Sequence, residues 1–285
     1  GGRRSRPRTA ASREKSMGIL DGKVAIVTGG SRGIGAEIAR RFGAAGVAVA
    51  VAARTAEAGS YPLEGTITET VGQITAAGGT AAAIRADLSK AEDRERLVAE
   101  TTARLGVPDI LVSNAAVTYF APVTEFTPRQ YALMLEVQVA GPFHLAQLVI
   151  PGMRERGRGW ILNISSGAAR HPAMPPRPRA GRGGTVYGMC KAAVERFSTG
   201  LAAELYEDNI AVNALSPSRV VPTPGTVFHH LTTWDSPDAE PASVMAEAAL
   251  QLCSAEPRAR TGRIAYSQQL LTELGVPIPD LPAGR

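Results

Sequence analysis

Tyr187 and Lys191 stand four residues apart in a stretch whose apolar residues recur at helical spacing. Both side chains therefore fall on one face of a predicted helix, one turn apart. A fixed positive charge beside a phenol favours the phenolate, so we expect Lys191 to lower the pKa of Tyr187 from its ordinary value of about 10. A tyrosine in that position can exchange a proton with an alcohol or a carbonyl oxygen. The same spacing also arises by chance on helix surfaces, which leaves an ordinary surface pair open as the alternative.

A second pattern, near the start of the chain, is typical of phosphate binding. Residues 28–35 read Thr-Gly-Gly-Ser-Arg-Gly-Ile-Gly, directly after an apolar run and directly before a predicted helix. Glycines let the backbone turn tightly and approach a pyrophosphate, and the helix N-terminus offers free amides and a positive dipole end to the anion. A merely structural turn is the alternative, but the position between a strand and a helix favours dinucleotide binding.

Short apolar runs alternate with helical stretches along the rest of the chain. This alternation is typical of repeated βαβ units and predicts an α/β fold whose sheet is covered on both faces. Helices are predicted over 34–45, 93–105 and 186–207. The predicted strands are 23–29, 47–54, 80–87, 110–115, 160–165, 210–217 and 263–267.

Length and composition narrow the class of protein further. The chain has 285 residues, 44% of them hydrophobic, and we predict a single domain over 18–285. No apolar run reaches the roughly 18 residues that cross a bilayer, so we expect no membrane partner. Cys190 and Cys253 form neither a disulfide framework nor a metal-ligand spacing, which predicts a reducing, cytoplasmic setting and no bound metal.

The net charge of +5 comes from the beginning of the chain. Residues 1–16 hold six of the 31 Lys and Arg residues and one of the 26 Asp and Glu residues, so the remainder is formally neutral. We predict that residues 1–17 are a disordered basic N-terminal extension and that nucleic acid is not a partner. A phosphate-attracting arm and a targeting peptide are the alternatives for this extension.

Six motifs follow one another in order, and together they resemble the short-chain dehydrogenase/reductase family. The resemblance runs from about residue 20 to about residue 267. It implies a doubly wound Rossmann fold with a mainly parallel seven-stranded sheet and an NAD(P)-dependent oxidoreductase. The motifs are Thr-Gly-x-x-x-Gly-x-Gly at 28–35, Ala-Asp-Leu at 86–88, Ser-Asn-Ala-Ala at 113–116, Asn-Ile-Ser-Ser at 163–166, Tyr-x-x-x-Lys at 187–191 and Asn-Ala-Leu-Ser-Pro at 213–217.

The resemblance also implies a set of cofactor-binding residues. Where an NAD enzyme usually has an acid at the end of the second strand, this chain has Ala53, followed by Arg54. A guanidinium suits a 2′-phosphate, and Arg32 can face the same group, so we expect NADP, with NAD as the alternative. Asp87 and Leu88 are implied as adenine contacts. The full implied set is Gly29, Ser31, Arg32, Gly33, Ile34, Gly35, Arg54, Asp87, Leu88, Asn114, Ala115, Tyr187, Lys191, Pro217, Val220 and Thr223.

By the same resemblance, Ser166 is the catalytic serine, Tyr187 the acid/base and Lys191 its partner. Ser165 is the adjacent competitor for the serine role. Gln138 stands where the family usually has an asparagine that is thought to bend its helix and hold a relay water. We predict Gln138 as the fourth catalytic member, and an ordinary tolerated helix residue is the alternative.

Two long loops depart from the family pattern. The spacing from Ser166 to Tyr187 is lengthened by residues 175–184, whose arginines we hypothesise to attract an anionic substrate; a solvated loop without function is the alternative. The segment 218–242, which contains His229, His230 and Trp234, is predicted to form a lid over the substrate.

The sequence therefore predicts an oxidoreductase that acts on CH–OH groups. It would transfer a hydride between NADP(H) and a carbonyl or secondary alcohol substrate. The alternative is a catalytically weak NAD(P)-binding sensor or structural protein on the same fold, which Gln138 keeps open. Relatives often pair through the helices around Gln138 and 186–207, so a homodimer or homotetramer is expected.

Overall fold

The computed structural model describes residues 20–57, 59, 62–175 and 183–279. Seven strands form one sheet in the order β3-β2-β1-β4-β5-β6-β7, and every neighbouring pair is parallel. The predicted Rossmann architecture is therefore confirmed. The strands are β1 (Val24–Thr28), β2 (Ala48–Ala53), β3 (Thr80–Arg85), β4 (Ile110–Ser113), β5 (Gly159–Ile164), β6 (Ile210–Ser216) and β7 (Ile264–Tyr266).

Helices connect the strands and cover both faces of the sheet. Apolar residues of α1, α8 and α9 pack on one face, and those of α3, α5 and α6 pack on the other. Strands β1, β4, β5 and β6 are buried along their whole length, which explains their nearly continuous apolar sequences. The α-helices are α1 (Gly33–Ala44), α2 (Ile67–Ala76), α3 (Ala91–Arg104), α4 (Pro128–Leu135), α5 (Gly141–Glu155), α6 (Thr185–Glu204), α7 (Pro224–Phe228), α8 (Ala242–Ser254) and α9 (Ser267–Glu273).

The strand order changes direction between β1 and β4. The chain runs outward from β1 through β2 to β3 and then returns to the other side of β1 to form β4. The connection after β1 therefore leads to one side of β1, and the connection after β4 leads to the other side. A crevice opens between them at the carboxyl ends of these strands, which is where ligands bind in such folds. The glycine turn that follows β1 lies at this crevice.

Several predicted boundaries differ from the structure. The predicted strands 80–87 and 110–115 end at Arg85 and Ser113, and the predicted helix 186–207 ends at Glu204. The predicted strand 263–267 ends at Tyr266, because Ser267 is the first residue of α9. The predicted lid contains the short helix α7, whose first turn is closed by a capping box between Thr223 and Thr226. The expected N-terminal extension and residues 176–182 of the lengthened loop lie outside the described residues.

The helical stretch Pro128–Glu155 is long and apolar enough to cross a membrane by length and composition. It consists of α4, a π-helical segment over Glu136–Ala140, and α5. Leu145 and Val149 of α5 are buried in the core beside Leu111 of β4. A core helix of a globular protein has the same length and composition, so the expected absence of a membrane partner stays a prediction.

Candidate active site

The glycine turn leaves the start of α1 open toward the crevice. Gly29 and Gly33 have φ values of 66° and 55°, in the left-handed region that favours glycine. No side chain caps the N-terminus of α1, and its first turn carries no acidic residue. The N-terminus of α2, in contrast, is capped by Thr66 and Glu69. Free amides at the positive end of a helix dipole suit a pyrophosphate, so this turn fits the diphosphate of a dinucleotide.

Asn114 fastens the turn to the end of β4. Its Nδ2 donates to the carbonyl oxygens of Thr28 at 2.9 Å and Gly29 at 3.2 Å. The Thr28 hydroxyl oxygen accepts from the backbone amides of Asn114 at 3.0 Å and Ala115 at 3.2 Å. A Cβ on Gly29 would lie 2.8 Å from Asn114 Nδ2, so a side chain there would break this junction. Asn114, which the resemblance implies as a cofactor-binding residue, thus holds the turn in place, and Ala115 lies directly beside it.

The loop after β6 meets the same turn. A Cβ on Gly33 would lie 2.8 Å from Thr223 Cγ2, so the glycine admits this close contact. Val220 is 45% exposed, while its neighbour Val221 is 2% exposed and belongs to the core. Pro217 directly follows β6. The structure therefore places Thr223 at the turn and leaves the Val220 side chain accessible to a ligand.

Arg32 extends from the turn to the end of β2. Its Nη2 donates to the carbonyl oxygen of Gly65 at 2.8 Å and to the hydroxyl of Thr55 at 3.2 Å. Arg54, predicted as a phosphate contact, is exposed and directly precedes Thr55. A cavity of about 600 Å³ lies between the turn and the loop after β2, and Ser31, Arg32 and Thr55 contribute to its lining. Sequence reasoning missed Thr55, which no motif marked.

Asp87 and Leu88, the predicted adenine contacts, interact with other parts of the protein in this structure. The Asp87 carboxylate accepts from the Ser89 amide at 3.1 Å and from its hydroxyl at 2.8 Å. The Leu88 side chain is 7% exposed and packs in the core on the α3 side of the sheet. Neither observation tests adenine binding, which stays a prediction.

Ser166, Tyr187 and Lys191 meet at the carboxyl end of β5. The Ser166 side chain lies close enough to the Tyr187 hydroxyl to lower its pKa. Ser166 follows β5, and Tyr187 lies in the first turn of α6. The Lys191 Nζ donates to the carbonyl oxygen of Ile164 at 2.9 Å and lies 5.6 Å from the centre of the Tyr187 ring. The predicted triad is therefore assembled despite the lengthened loop.

Ser165, the alternative candidate for the catalytic serine, has a hydrogen-bond partner away from Tyr187. Its side chain is buried and donates a hydrogen bond of 2.7 Å to Glu195 Oε1 on α6. Of the two adjacent serines, only Ser166 lies beside Tyr187 in the described structure, which favours it for the serine role.

The expected direction of the Tyr187 pKa is wrong for the protein without ligand. Burial raises the pKa of Tyr187, because the phenolate would lose its hydration, and the Ser166 side chain opposes this rise only in part. Lys191 is itself buried, and burial lowers its pKa to about 8. The sequence showed the spacing of the pair but not its burial, which is partial for Tyr187 and nearly complete for Lys191.

Gln138 lies in the π-helical segment and is 1% exposed. Its Nε2 donates to the carbonyl oxygen of Val117 at 2.8 Å, whereas its Oε1 is buried with no partner within the described residues. Single π-helical turns occur often at functional sites. The amide at this position thus ties the π-helical segment to the loop after β4 and leaves one buried acceptor without a partner among the described residues.

Aromatic rings connect Tyr187 to the predicted lid. The Phe120 ring, from the loop after β4, contacts Tyr187 edge-on at 5.7 Å between ring centres and His229 at 5.3 Å. His229 also contacts Phe228 at 5.3 Å, and its Nε2 lies 3.4 Å from the Thr118 hydroxyl. Burial and the neighbouring His230 lower the pKa of His229, so its ring is neutral at pH 7. His230 and Trp234 are exposed.

Comparison with known proteins places this fold and site in a family. The family model for short chain dehydrogenases matches residues 23–229. A short chain dehydrogenase of Pseudocercospora fijiensis is 35% identical over 214 residues, which are 74% of this chain and 64% of that protein. A hydroxynaphthalene reductase-like protein of Metarhizium robertsii is 33% identical over 261 residues, covering 91% of this chain and 89% of the relative.

Solved structures of similar fold are also dehydrogenases or oxidoreductases. A putative dehydrogenase from Xanthomonas campestris has a TM-score of 0.80 at 30% identity, with 92% of each chain covered. A metagenomic short-chain oxidoreductase in complex with NADP has a TM-score of 0.71 at 27% identity, with 87% of this chain and 98% of that chain covered. The fold and the relatives define an oxidoreductase with a Rossmann fold. The chain belongs to the short-chain dehydrogenase/reductase family.

The buried Lys191 predicts a pH dependence of stability. Its pKa is 10.5 in an unfolded chain and about 8 in the fold, so the unfolded state binds more protons between these values. The free energy of unfolding should therefore rise by about 3 kcal/mol from pH 8 to pH 10.5 relative to Lys191→Met. Denaturant unfolding at several pH values measures this difference. The exposed Lys90→Met is the matched control, and parallel curves for the parent and Lys191→Met would contradict the prediction.

Proposed function

We propose that this protein is an NADP(H)-dependent reductase of ketones, or dehydrogenase of the corresponding secondary alcohols, with Tyr187 as its acid/base. The observation that carries the proposal is the convergence of Ser166, Tyr187 and the buried Lys191 at the carboxyl edge of the sheet, where Lys191 donates to the carbonyl oxygen of Ile164. The glycine turn supplies the place for the diphosphate of the cofactor. Thr223, which lies against Gly33 of the turn, and the accessible Val220 would contact the cofactor from the loop after β6.

The raised pKa of Tyr187 suits the reductive direction. When bound, NADPH supplies a hydride to the carbonyl carbon of the substrate. The Tyr187 hydroxyl then donates its proton to the carbonyl oxygen, on which negative charge grows, and Ser166 donates a hydrogen bond to the same oxygen. A phenol that stays protonated at neutral pH is ready to act as the acid. Lys191, as an ammonium, would stabilise the phenolate that forms, and water held at Gln138 Oε1 would return the proton.

An activity assay tests this proposal. Oxidation of NADPH is followed with a panel of ketones for the parent, Tyr187→Phe and Gln138→Leu. We expect Tyr187→Phe to lower kcat/KM at least about 100-fold, because it removes the proton donor while keeping the ring. Gln138→Leu should lower kcat with a smaller effect on KM, since it removes the water acceptor but no substrate contact. Undiminished activity in Tyr187→Phe would refute the mechanism.

We further propose that the substrate carries its carbonyl on or beside an aromatic ring system. The rings of Phe120 and His229 form an aromatic wall next to Tyr187, and flat rings bind well against aromatic edges and faces. The relative from Metarhizium robertsii is named for hydroxynaphthalene reduction, which supports the same class. The panel therefore pairs 1-tetralone with cyclohexanone. Equal kcat/KM for the two ketones would remove the aromatic preference without affecting the role of Tyr187.

A preference for NADP over NAD is proposed from the arginines near the end of β2. Arg54 directly follows β2, and Arg32 reaches Thr55 beside it. A guanidinium can hold a 2′-phosphate, which NAD lacks. The neighbour crystallised with NADP supports this choice.

Arg54→Ala should raise the KM for NADPH about tenfold, because a hydrogen bond to a charged group contributes roughly 1.5–3 kcal/mol. The KM for NADH should change little. Steady-state kinetics with both cofactors measures the difference, with the exposed Arg85→Ala at the end of β3 as the control. An equal change for NADPH and NADH would argue that Arg54 is an ordinary surface residue.

The alternative function, a cofactor-binding protein with little turnover, rests on the replacement of the usual asparagine by Gln138. The Gln138 amide nevertheless bonds the loop after β4, and the triad is assembled. The panel decides between the two functions. Binding of NADPH without turnover of any ketone or alcohol would favour the sensor or structural protein.

We also propose that two copies associate through α5 and α6. Between these helices lies an open cavity of about 550 Å³, lined in part by Phe143, Ile150 and Phe197, with Arg196 and Glu204 beside them. Phe143 is 49% exposed, which is high for an aromatic residue unless it is covered by a partner.

We also propose that the protein is cytoplasmic and has no nucleic-acid or membrane partner. Retention on heparin or co-sedimentation with vesicles would contradict this proposal.

Phe143→Glu should halve the particle mass, because a carboxylate cannot be buried without a partner. Light scattering coupled to gel filtration measures the mass of both proteins at the same concentration. Val123→Glu serves as the control, since Val123 is 61% exposed and lies away from this cavity. A parent that is already monomeric would refute the proposed interface.

A further inference from the structure

Glu240 is a carboxylate buried at the base of the predicted lid. Its exposed fraction is 0%, and it stands two residues before α8, at the point where the lid rejoins the core. Acidic side chains are almost never fully buried unless their oxygens are bonded. The groups that face it therefore indicate what it holds.

Neutral donors from two distant segments converge on this carboxylate. Its Oε1 accepts from the Ser267 hydroxyl at 2.6 Å and from the backbone amide of Ser218 at 3.2 Å. Its Oε2 accepts from Gln268 Nε2 at 2.7 Å. The backbone amide of Arg219 lies near the carboxylate and also favours its ionised form. Burial raises the pKa of Glu240, and each of these donors opposes the rise, because each stabilises the ionised form.

Further bonds tie the same segments together. The Ser218 amide also donates to the Ser267 hydroxyl oxygen at 2.9 Å, and the Gln268 amide donates to the Ser218 hydroxyl oxygen at 3.0 Å. The backbone amide of Glu240 donates to the carbonyl oxygen of Val220 at 3.0 Å. Residues 218–220 are thus held from one side by the start of α9 and from the other by Glu240.

We propose that Glu240 is a positioning residue for cofactor binding. Its carboxylate fixes the backbone of residues 217–223, and with it the accessible Val220 and the Thr223 that lies against Gly33. Ser267 and Gln268 hold the carboxylate in place. The inference rests on the proposed function in one respect, since it assigns residues 217–223 to the cofactor.

The first measurement needs no cofactor. Hydrogen exchange of the parent protein is compared with Glu240→Gln, which keeps the volume but removes the charge and one acceptor oxygen. We expect the amides of Ser218 and Arg219 to exchange about tenfold faster in the variant, because an amide bonds a neutral acceptor more weakly than a charged one. Exchange in β1 and β4 should not change.

The second measurement is NADPH affinity, from the fluorescence of the bound nicotinamide. The Kd should rise about tenfold in Glu240→Gln, while kcat at saturating NADPH changes less than the Kd. Gln268→Met, which removes one donor, should shift the Kd in the same direction by a smaller factor. Gln269→Met is the matched control, because Gln269 is the next residue along α9 and is exposed.

Two results would overturn the proposal. One is unchanged exchange at Ser218 and Arg219 in Glu240→Gln. The other is faster exchange with an unchanged Kd, which would make Glu240 a purely structural residue. If Glu240→Gln does not fold, amide exchange at Ser218 and Arg219 and the Kd for NADPH are compared between Gln268→Met and Gln269→Met instead. A parent that binds neither NADPH nor NADH would refute the proposed function, whereas the exchange measurement would still test the anchoring of the loop.

Discussion

The junction between Thr28 and Asn114 is the constraint on which the site depends. Strands β1 and β4 separate here, while the Gly30 amide of the turn still donates to the carbonyl oxygen of Ala52 on β2. On the β4 side, the Asn114 side chain bonds two successive carbonyl oxygens and holds the turn against the end of β4. The glycines then let the turn approach closely enough for these bonds to form. Without the junction, the amides at the start of α1 would have no fixed direction.

The catalytic groups depend on burial in a similar way. Lys191 reaches the end of β5 only because α6 begins beside the strand and directs its first two turns toward Ile164. Burial raises the pKa of Tyr187 and lowers that of Lys191 to about 8, so at pH 7 Tyr187 is a neutral phenol while Lys191 is still mostly an ammonium. Negative charge that develops in the site during the reaction is therefore little screened by water, and nearby hydrogen-bond donors stabilise it more strongly.

The sequence predicted most of this arrangement because its signals are local. Apolar runs and glycines marked all seven strands and the turn, and the motif serines, Tyr187 and Lys191 lie where the resemblance implied. The pKa of Tyr187 could not be read in this way, since it depends on how many atoms from other segments surround the phenol. Glu240, Thr55 and the contact of His229 with Phe120 also escaped detection. Each is defined by residues distant in sequence, and their residue types are ordinary for loops.

The contact between Gly33 and Thr223 has a consequence for folding. These residues come from the first helix and from the loop after the sixth strand, so their encounter requires nearly the whole sheet to be paired. Contacts between such distant parts of a chain form late and slow the search for the native state. A fragment ending before β6 would lack Thr223 and therefore the residue that lies against Gly33 of the turn. Completion of the crevice is therefore coupled to the last steps of chain assembly, and an incompletely folded molecule has no finished binding surface.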